Sequence, residues 1–457
     1  MRYLLGLLLI LLLAAGGAFV YAGRMPGPTI QIAKPVKYVG QNATVEVAIT
    51  APRAELTDYA VTFEQNGKQT ALASIAQPGS EMKADGPDTV RITRTFTRND
   101  IPDLKSGPAK IIVTATRPVL YKLRKTSTTA TRDVQVRLER PQVAVLSTKH
   151  YVNLGGSEMV VYKATPADVE SGVQVGDLTY PGYPASGAKM DGVHITDPTV
   201  KIAFIALRYD QDVNTRMFAY AKDEAGNSSR AEFDRMTFPK PFKKSRIPLD
   251  DRFLERVVPA ILETTTEVNP QGSTLDKFLV LNGDLRRKNA DKIASYVKET
   301  APEILWGGAA FHPFTNTAVE AAFADQRTYL YKDKEVDRQT HLGFDLAKVV
   351  NSPIVAANRG KVLHASPLGI YGNCVIVDHG MGVQSLYAHL SSFTVKVGDL
   401  VEKEQELGRS GMTGLAGGDH LHFTMLVNGQ MVNPVEWWDA HWIQDRIVRK
   451  LREASGS

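Results

Sequence analysis

At 457 residues the chain exceeds one ordinary folding core, and at roughly 100 to 200 residues per domain it implies about three domains. A single cysteine, Cys374, excludes an intramolecular disulfide framework and a cysteine-rich zinc site, so any metal must be held by histidine and carboxylate. The net charge of +5 mildly favours anionic surroundings, and no basic run is dense enough to argue for nucleic acid.

Residues 3–22, YLLGLLLILLLAAGGAFVYA, are uncharged and almost wholly apolar, the length a helix needs to cross a bilayer core at roughly 20 residues. This segment sends the chain into the secretory route, as a retained anchor over 1–24 or as a signal peptide cleaved after Ala22. The apolar run exceeds the usual core of roughly 7 to 15 residues in a cleaved signal, which favours the anchor. Arg2 and Arg24 flank it evenly and do not orient it; the large soluble remainder is expected to lie outside the membrane.

Residues 28–138 read as all-β. Val45, Val47 and Ile49 alternate with polar residues, as do Val90, Ile92 and Phe96, and Val134, Val136 and Leu138. Asn66-Gly67 is a hairpin-turn signal. Short strands at this spacing fit a β-sandwich of immunoglobulin type. A second β-sandwich module is expected over 139–240, with Val143 and Val145, Met159 to Tyr162, Ile202, Phe204 and Ala206, and Met217 to Tyr220. Its D-x-A-G-N run, Asp223 to Asn227, resembles the closing strand and turn of bacterial immunoglobulin-like modules, usually spacers or adhesive surfaces; a spacer or substrate-positioning arm is the reading favoured here.

After Pro239-Lys240-Pro241 the period changes. Phe253, Leu254, Val257, Val258, Ile261 and Leu262 follow helical spacing, with a kink expected at Pro259. Ser273 is placed as the cap of a second helix and Ile293, Tyr296 and Val297 in a third. Residues 241–304 therefore read as a helical neck between the β modules and the C-terminal domain, with a covering lid over a cleft as the other reading. From 305 to 440 the pattern is β again and rich in glycine, with strands through Ile354, Lys361 to His364, Asn373 to Val377, Gln384 to Tyr387 and Phe393 to Val397. The chain closes with Trp437, Trp438 and Trp442 and then, within the helical segment 441–457, a basic amphipathic stretch from Ile443 to Leu451 expected to pack on the domain.

Near the C-terminus, in GLAGGDHLHFTML, a strand would put His420, His422 and Thr424 on one face and Leu421, Phe423 and Met425 on the other. Such a pair suits a metal ligand and its catalytic neighbour; by itself it equally suits one surface histidine and one held by hydrogen bonds. Upstream, His341 and Asp345 are an even number apart, so an extended backbone sets imidazole and carboxylate on one side. With His422 they supply two nitrogens and one oxygen, the open coordination of a catalytic zinc. His389 lies between them in sequence, on a predicted strand.

H-x-G-x-D at 341–345, Y-A-H-L at 387–390, GRSGMTG at 408–414 and H-L-H-F at 420–423 stand in the order and spacing of the lysostaphin/LytM-type zinc endopeptidases of bacterial cell walls. The runs at 356–362, 371–373, 395–399 and 433–434 match as well, so the resemblance covers roughly residues 335–440. It implies a mainly β fold with a C-terminal LytM-type peptidase domain, Zn²⁺ as cofactor, and His341, Asp345 and His422 as its ligands. His389 and His420 stay off the metal as the catalytic histidines. The implied reaction is hydrolysis of peptide bonds in peptidoglycan stems or cross-links, with peptidoglycan and the membrane as partners. Two alternatives stay open at this stage: a non-catalytic envelope scaffold or regulator of wall amidases, and a protease acting on an envelope protein.

One residue departs from the family. Asp419 stands where a proline usually precedes H-x-H, and is read as solvated, with orientation of His420 as the alternative. His364, His379 and His441 are expected at the surface or in turns, His312 as structural, and Cys374 as a small buried residue.

Overall fold

Period-two alternation decides the first unit. The chain divides into residues 1–141 with 222–229 and residues 142–221 with 230–457; the computed structural model describes residues 2–76 and 81–456. In the first unit the helix Arg2–Ala22 contains the stretch Tyr3–Ala22, of mean hydropathy 2.5, long and apolar enough to cross a membrane. It is followed by two sheets. One has the order Thr29–Lys34, Asn42–Thr50, Thr89–Thr97, Glu81–Ala84, the other Tyr38–Val39, Arg124–Val136, Gly107–Val119, Asp58–Gln65, Lys68–Ser74. Val45, Val47, Ile49 and Ile92 from the first meet Val61, Phe63, Ile111 and Val113 from the second in one core, the arrangement of a β-sandwich. Asn66 and Gly67 take φ of 53° and 77°, as a two-residue turn matching the strand twist requires.

The second unit begins with another β module. Its strand Val200–Ala206 is buried at every residue, and Ser157–Thr165 beside it at most. A strand apolar on both faces needs cover on both. On one side the cover is the C-terminal domain: Asn428 Nδ2 donates to the Phe204 carbonyl at 2.9 Å, and Phe204 packs on Trp437 with ring centroids 6.0 Å apart. The C-terminal helical run fastens the same seam. Trp437 Nε1 donates to Ser157 Oγ at 3.0 Å, and Lys450 Nζ lies 2.8 Å from Glu158 Oε1 with both side chains fully buried. The basic helix thus packs on the unit as expected, through Ile443, Ile447, Val448 and Leu451. Residues 222–229, which belong to the first unit, form a turn in which the Asn227 amide donates to Asp223 Oδ1 at 2.8 Å.

The C-terminal domain is built on an eight-stranded sheet. Its order is Ala318–Ala321, Phe344–Ala347, Leu421–Val427, Val383–Leu390, Asn373–Gly380, Gly360–Pro367, Leu400–Val401, with Gln430–Val432 also paired to Leu421–Val427. Alternation sorts the central strands. Val375, Val377, Tyr387, Phe423 and Met425 join the core shared with the β module, while Cys374, Ile376, Leu386, Ala388 and Leu426 face a second apolar cluster.

That second cluster is supplied by the helical segment. The helix Asp251–Thr264, capped by Asp250 through the Phe253 amide, buries Leu254, Val257, Val258 and Ile261. Pro259 lies on its exposed side, and the helix assignment continues through it to Thr264. Ser273 and Asp276 form a reciprocal capping box, and what reads as two helices is one run: Thr274–Val280, a π-turn at Leu281–Leu285, then Arg286–Ser295. The segment read as a neck is a layer laid on the sheet, because an amphipathic stripe this apolar has to be buried and the even-numbered face of the sheet is its complement.

His364 and His379, expected at the surface or in turns, are buried strand residues instead. Both ring nitrogens of His379 are satisfied, Nδ1 at 2.8 Å from the Arg359 carbonyl and Nε2 at 2.7 Å from Ser385 Oγ. His364 bonds to Tyr296 Oη and the Ser366 carbonyl. A histidine whose two nitrogens find partners can be buried neutral. His441 is exposed, Cys374 is fully buried, and His312 accepts from the Phe314 amide as part of its own loop.

Candidate active site

Three strands bring His341, Asp345 and His422 together, and a fourth, Val383–Leu390, carries His389. His341 ends the strand Lys334–His341, and Asp345 lies in Phe344–Ala347, which belongs to the other sheet. The even spacing within one extended strand is therefore not what aligns them: the chain changes sheets at Leu342-Gly343. Gly343 is required at the crossing, since a β-carbon there would fall 2.5 Å from Cε1 and Nε2 of His422. Across the strand pair, Asp345 is in register with His422.

The resulting geometry is close. His341 Nε2 lies 2.9 Å from Asp345 Oδ1 and 2.9 Å from His422 Nδ1, and His422 Nδ1 lies 3.0 Å from Asp345 Oδ1. All three residues are buried. Among the described residues these form the one group of three or more His, Cys, Asp or Glu donors able to hold an ion. Two imidazole nitrogens and a carboxylate oxygen are the donors zinc accepts. His422 Nε2 abuts Gly343 and has no hydrogen-bond partner, so Nδ1 is the nitrogen presented to the centre. The donor set fits a zinc ion.

His389 and His420 stand beside this group. His420 shares a face with His422, as alternation requires. His389, an odd-numbered residue, would point to the opposite face of its strand, but a bulge between the Val375–Tyr387 and Asn373–Leu390 pairs and a φ of 64° at His389 turn its ring inward. Its ring centroid is 4.9 Å from that of His420 and 5.8 Å from that of His422. Both off-centre histidines are held alike: Nδ1 of His389 is 2.8 Å from the Thr413 carbonyl, and Nδ1 of His420 is 2.8 Å from the Gly418 carbonyl. A carbonyl accepts only, so each Nδ1 carries a proton; Nε2 of His389 keeps its lone pair, while Nε2 of His420 lies 3.5 Å from Asp345 Oδ1, where a second proton is stabilised.

Electrostatics separate the groups. Burial, with His420 and His422 adding to it, holds His389 well below the ordinary histidine range, and burial takes His422 down to about 4. His420 is also buried, but the hydrogen bond and charge of Asp345 outweigh that and raise it. Asp345 lies well below the usual carboxylate range: burial opposes this, and the surrounding histidines, His341 foremost, overcome it.

Several residues that no motif marked complete the site. Arg327 donates from Nη2 to Asp345 Oδ2 at 3.0 Å, leaving Oδ1 for the histidine cluster. Thr413 supplies the carbonyl that holds His389, and its Oγ1 accepts from the Asn373 amide and donates to the Leu390 carbonyl. Thr413 at least lies within the GRSGMTG run. Arg256 donates to the Ala416 carbonyl at 2.8 Å, tying the helical layer to the glycine-rich loop. A cavity of about 140 Å³ opens onto the five His and Asp side chains, and Arg286, Ala290, Arg327 and Tyr371 line it too. Asp419 is half-exposed and is not set on His420: its carboxylate accepts from Ser410 Oγ at 2.6 Å and from the Asn351 amide at 3.2 Å. It staples two loops at the rim.

Residues 339–434 match the Peptidase family M23, so the chain carries an M23 peptidase domain at the stretch that holds all five residues. Over 95 residues it is 41% identical to the DD-carboxypeptidase/endopeptidase Mpg of Neisseria meningitidis serogroup B, covering 21% of this chain and 22% of that protein. Over 96 residues it is 35% identical to the peptidoglycan DD-endopeptidase ShyA of Vibrio cholerae, with 21% and 22% covered. The match thus spans about a fifth of these relatives. A putative peptidase M23 from Pseudomonas aeruginosa of solved structure aligns with 63% of this chain and 94% of its own, at 19% identity and a TM-score of 0.37.

Proposed function

We propose that the protein is a zinc endopeptidase of the bacterial envelope that hydrolyses peptide bonds in peptidoglycan stems or cross-links, held at the inner membrane by its N-terminal helix. The observation that carries this reading is the meeting of His341 Nε2, Asp345 Oδ1 and His422 Nδ1 within 3.0 Å of one another, beside His389 and His420, whose rings are each held through Nδ1 by a backbone carbonyl. The M23 match and the names of the relatives support a peptidase, and the names of Mpg and ShyA support peptidoglycan as substrate.

His341, Asp345 and His422 would hold the zinc. When bound, zinc supplies Lewis acidity toward a carbonyl and brings the pKa of water down to roughly 7. His389, kept neutral by burial, accepts the proton of the attacking water at Nε2. His420, whose pKa is raised beside Asp345, donates from Nε2 to the charge developing on the carbonyl oxygen and on to the departing amine. The backbone carbonyls of Thr413 and Gly418 keep both rings in the tautomer and orientation this needs. Arg327 fixes the second carboxylate oxygen of Asp345, which leaves Oδ1 as the oxygen that would be offered to the zinc.

The test uses the full chain in detergent. Zinc near one per chain, with release of muropeptides from purified peptidoglycan that is lost in His341→Ala, is the expected result. Zinc without product from the wall, together with cleavage of an envelope protein, would replace peptidoglycan as substrate; a chain that binds no zinc would overturn the enzyme.

A further inference from the structure

The helical layer contributes a cation to the catalytic cavity. Arg286 begins the helix Arg286–Ser295, directly after the π-turn Leu281–Leu285, and lines the cavity opposite the strands that carry the histidines. π-turns inside helices recur at functional sites because they re-aim side chains. Here the turn places Asn282, fully buried, under the guanidinium. Arg286 Nε donates to the Asn282 carbonyl at 3.0 Å and Nη2 donates to Asn282 Oδ1. Asn282 is itself fixed, its Nδ2 donating to Asp337 Oδ2 at 2.7 Å.

These partners are neutral. The other arginine of the cavity, Arg327, has its charge met by Asp345 and Asp325, and Asp345 is the single acid among the lining residues. Among the described residues Arg286 has no carboxylate partner, and its Nη1 donates to nothing. A half-buried guanidinium, held rigid by two hydrogen bonds and facing a cavity with no acid left for it, is built for an incoming anion. A carboxylate matches the fork of a guanidinium in shape and charge.

Resting on the peptidase reading, we propose that Arg286 binds a free carboxylate of the substrate, the one on the carbon next to the scissile amide nitrogen, and so selects peptides whose leaving residue carries an unblocked carboxyl group. The helical layer then confers specificity on a site whose chemistry lies in the strands.

The test compares N-acetyl-D-alanyl-D-alanine with its C-terminal amide on the full chain in detergent. Binding to the metal-free protein isolates the arginine from zinc, and hydrolysis by the zinc-loaded protein reports the reaction. The metal-free chain is expected to bind the acid at least about tenfold tighter than the amide, and Arg286→Gln, with unchanged zinc content and melting temperature, to erase the difference. Equal binding of acid and amide by the unaltered chain overturns the proposal whether or not any variant folds, as does a preference that survives in Arg286→Gln. Hydrolysis without a preference in binding sinks the carboxylate site and leaves the peptidase standing; a preference in binding without hydrolysis of any peptide or wall substrate does the reverse.

Discussion

Gly343 lies flat against the imidazole of His422, so close that any β-carbon would overlap it at 2.5 Å. The contact is with a ring whose backbone is locked in the centre of the sheet, so the ring has little room to retreat. Gly343→Ala is expected to push Nδ1 off the metal centre and lower zinc affinity at least about tenfold, while circular dichroism stays that of the unaltered chain. Metal analysis after dialysis checks this; full zinc retention would show that the ring moves freely.

The two classes of histidine should respond oppositely to removal. His422→Ala takes away a donor from a three-residue set and is expected to abolish stoichiometric zinc. His389→Ala leaves the set intact, so zinc stays near one per chain while hydrolysis falls about 10²–10⁴-fold. Loss of zinc in His389→Ala would move that residue onto the metal.

Arg327 reaches the metal centre only through Asp345. Arg327→Met removes the cation from Asp345 Oδ2 and leaves a buried carboxylate oxygen unpaired. Zinc affinity is expected to drop about 10–100-fold, measured by competition with a chromophoric chelator, and added zinc should restore a large share of the activity.

At the seam of the second unit, Glu158 and Lys450 are a fully buried ion pair. Lys450→Met strands the carboxylate and is expected to cost about 3–5 kcal/mol in thermal or denaturant unfolding. Glu158→Leu combined with Lys450→Met should return most of that, since the pair then becomes apolar packing. A single variant as stable as the unaltered chain would mean that water reaches Glu158.

Burial lowers His379 to about 4, against roughly 6.5 in an unfolded chain. The depressed value means that the folded state resists protonation: the stability it contributes is complete above about pH 6.5 and is lost progressively as pH falls to about 4. The loss amounts to about 3 kcal/mol. His379→Gln, which keeps a donor and an acceptor, is expected to flatten this part of the acid-unfolding curve, and a curve of unchanged slope would contradict it.

Much of the protein was legible in the residues themselves. Alternation in Val45-x-Val47-x-Ile49 reports a half-buried strand because side chains of a strand point to opposite faces whatever surrounds them, and Asn66-Gly67 adopts positive φ for local steric reasons. The histidines and Asp345 sit in short motifs, so their candidacy needed no fold. Other features had no local signature. The strand break at Gly343 and the inward turn of His389 arise from how three strands are paired. Asp419 found Ser410 and Asn351, His379 found Ser385, and the helices at 251–295 found the even-numbered face of the sheet. Arg286 and Arg327 entered the cavity from sequence positions outside every motif. Local spacing determines which face a residue takes on its own element; what lies opposite that face is decided only when elements remote in the chain pack together, and that is where the partners of this site are chosen.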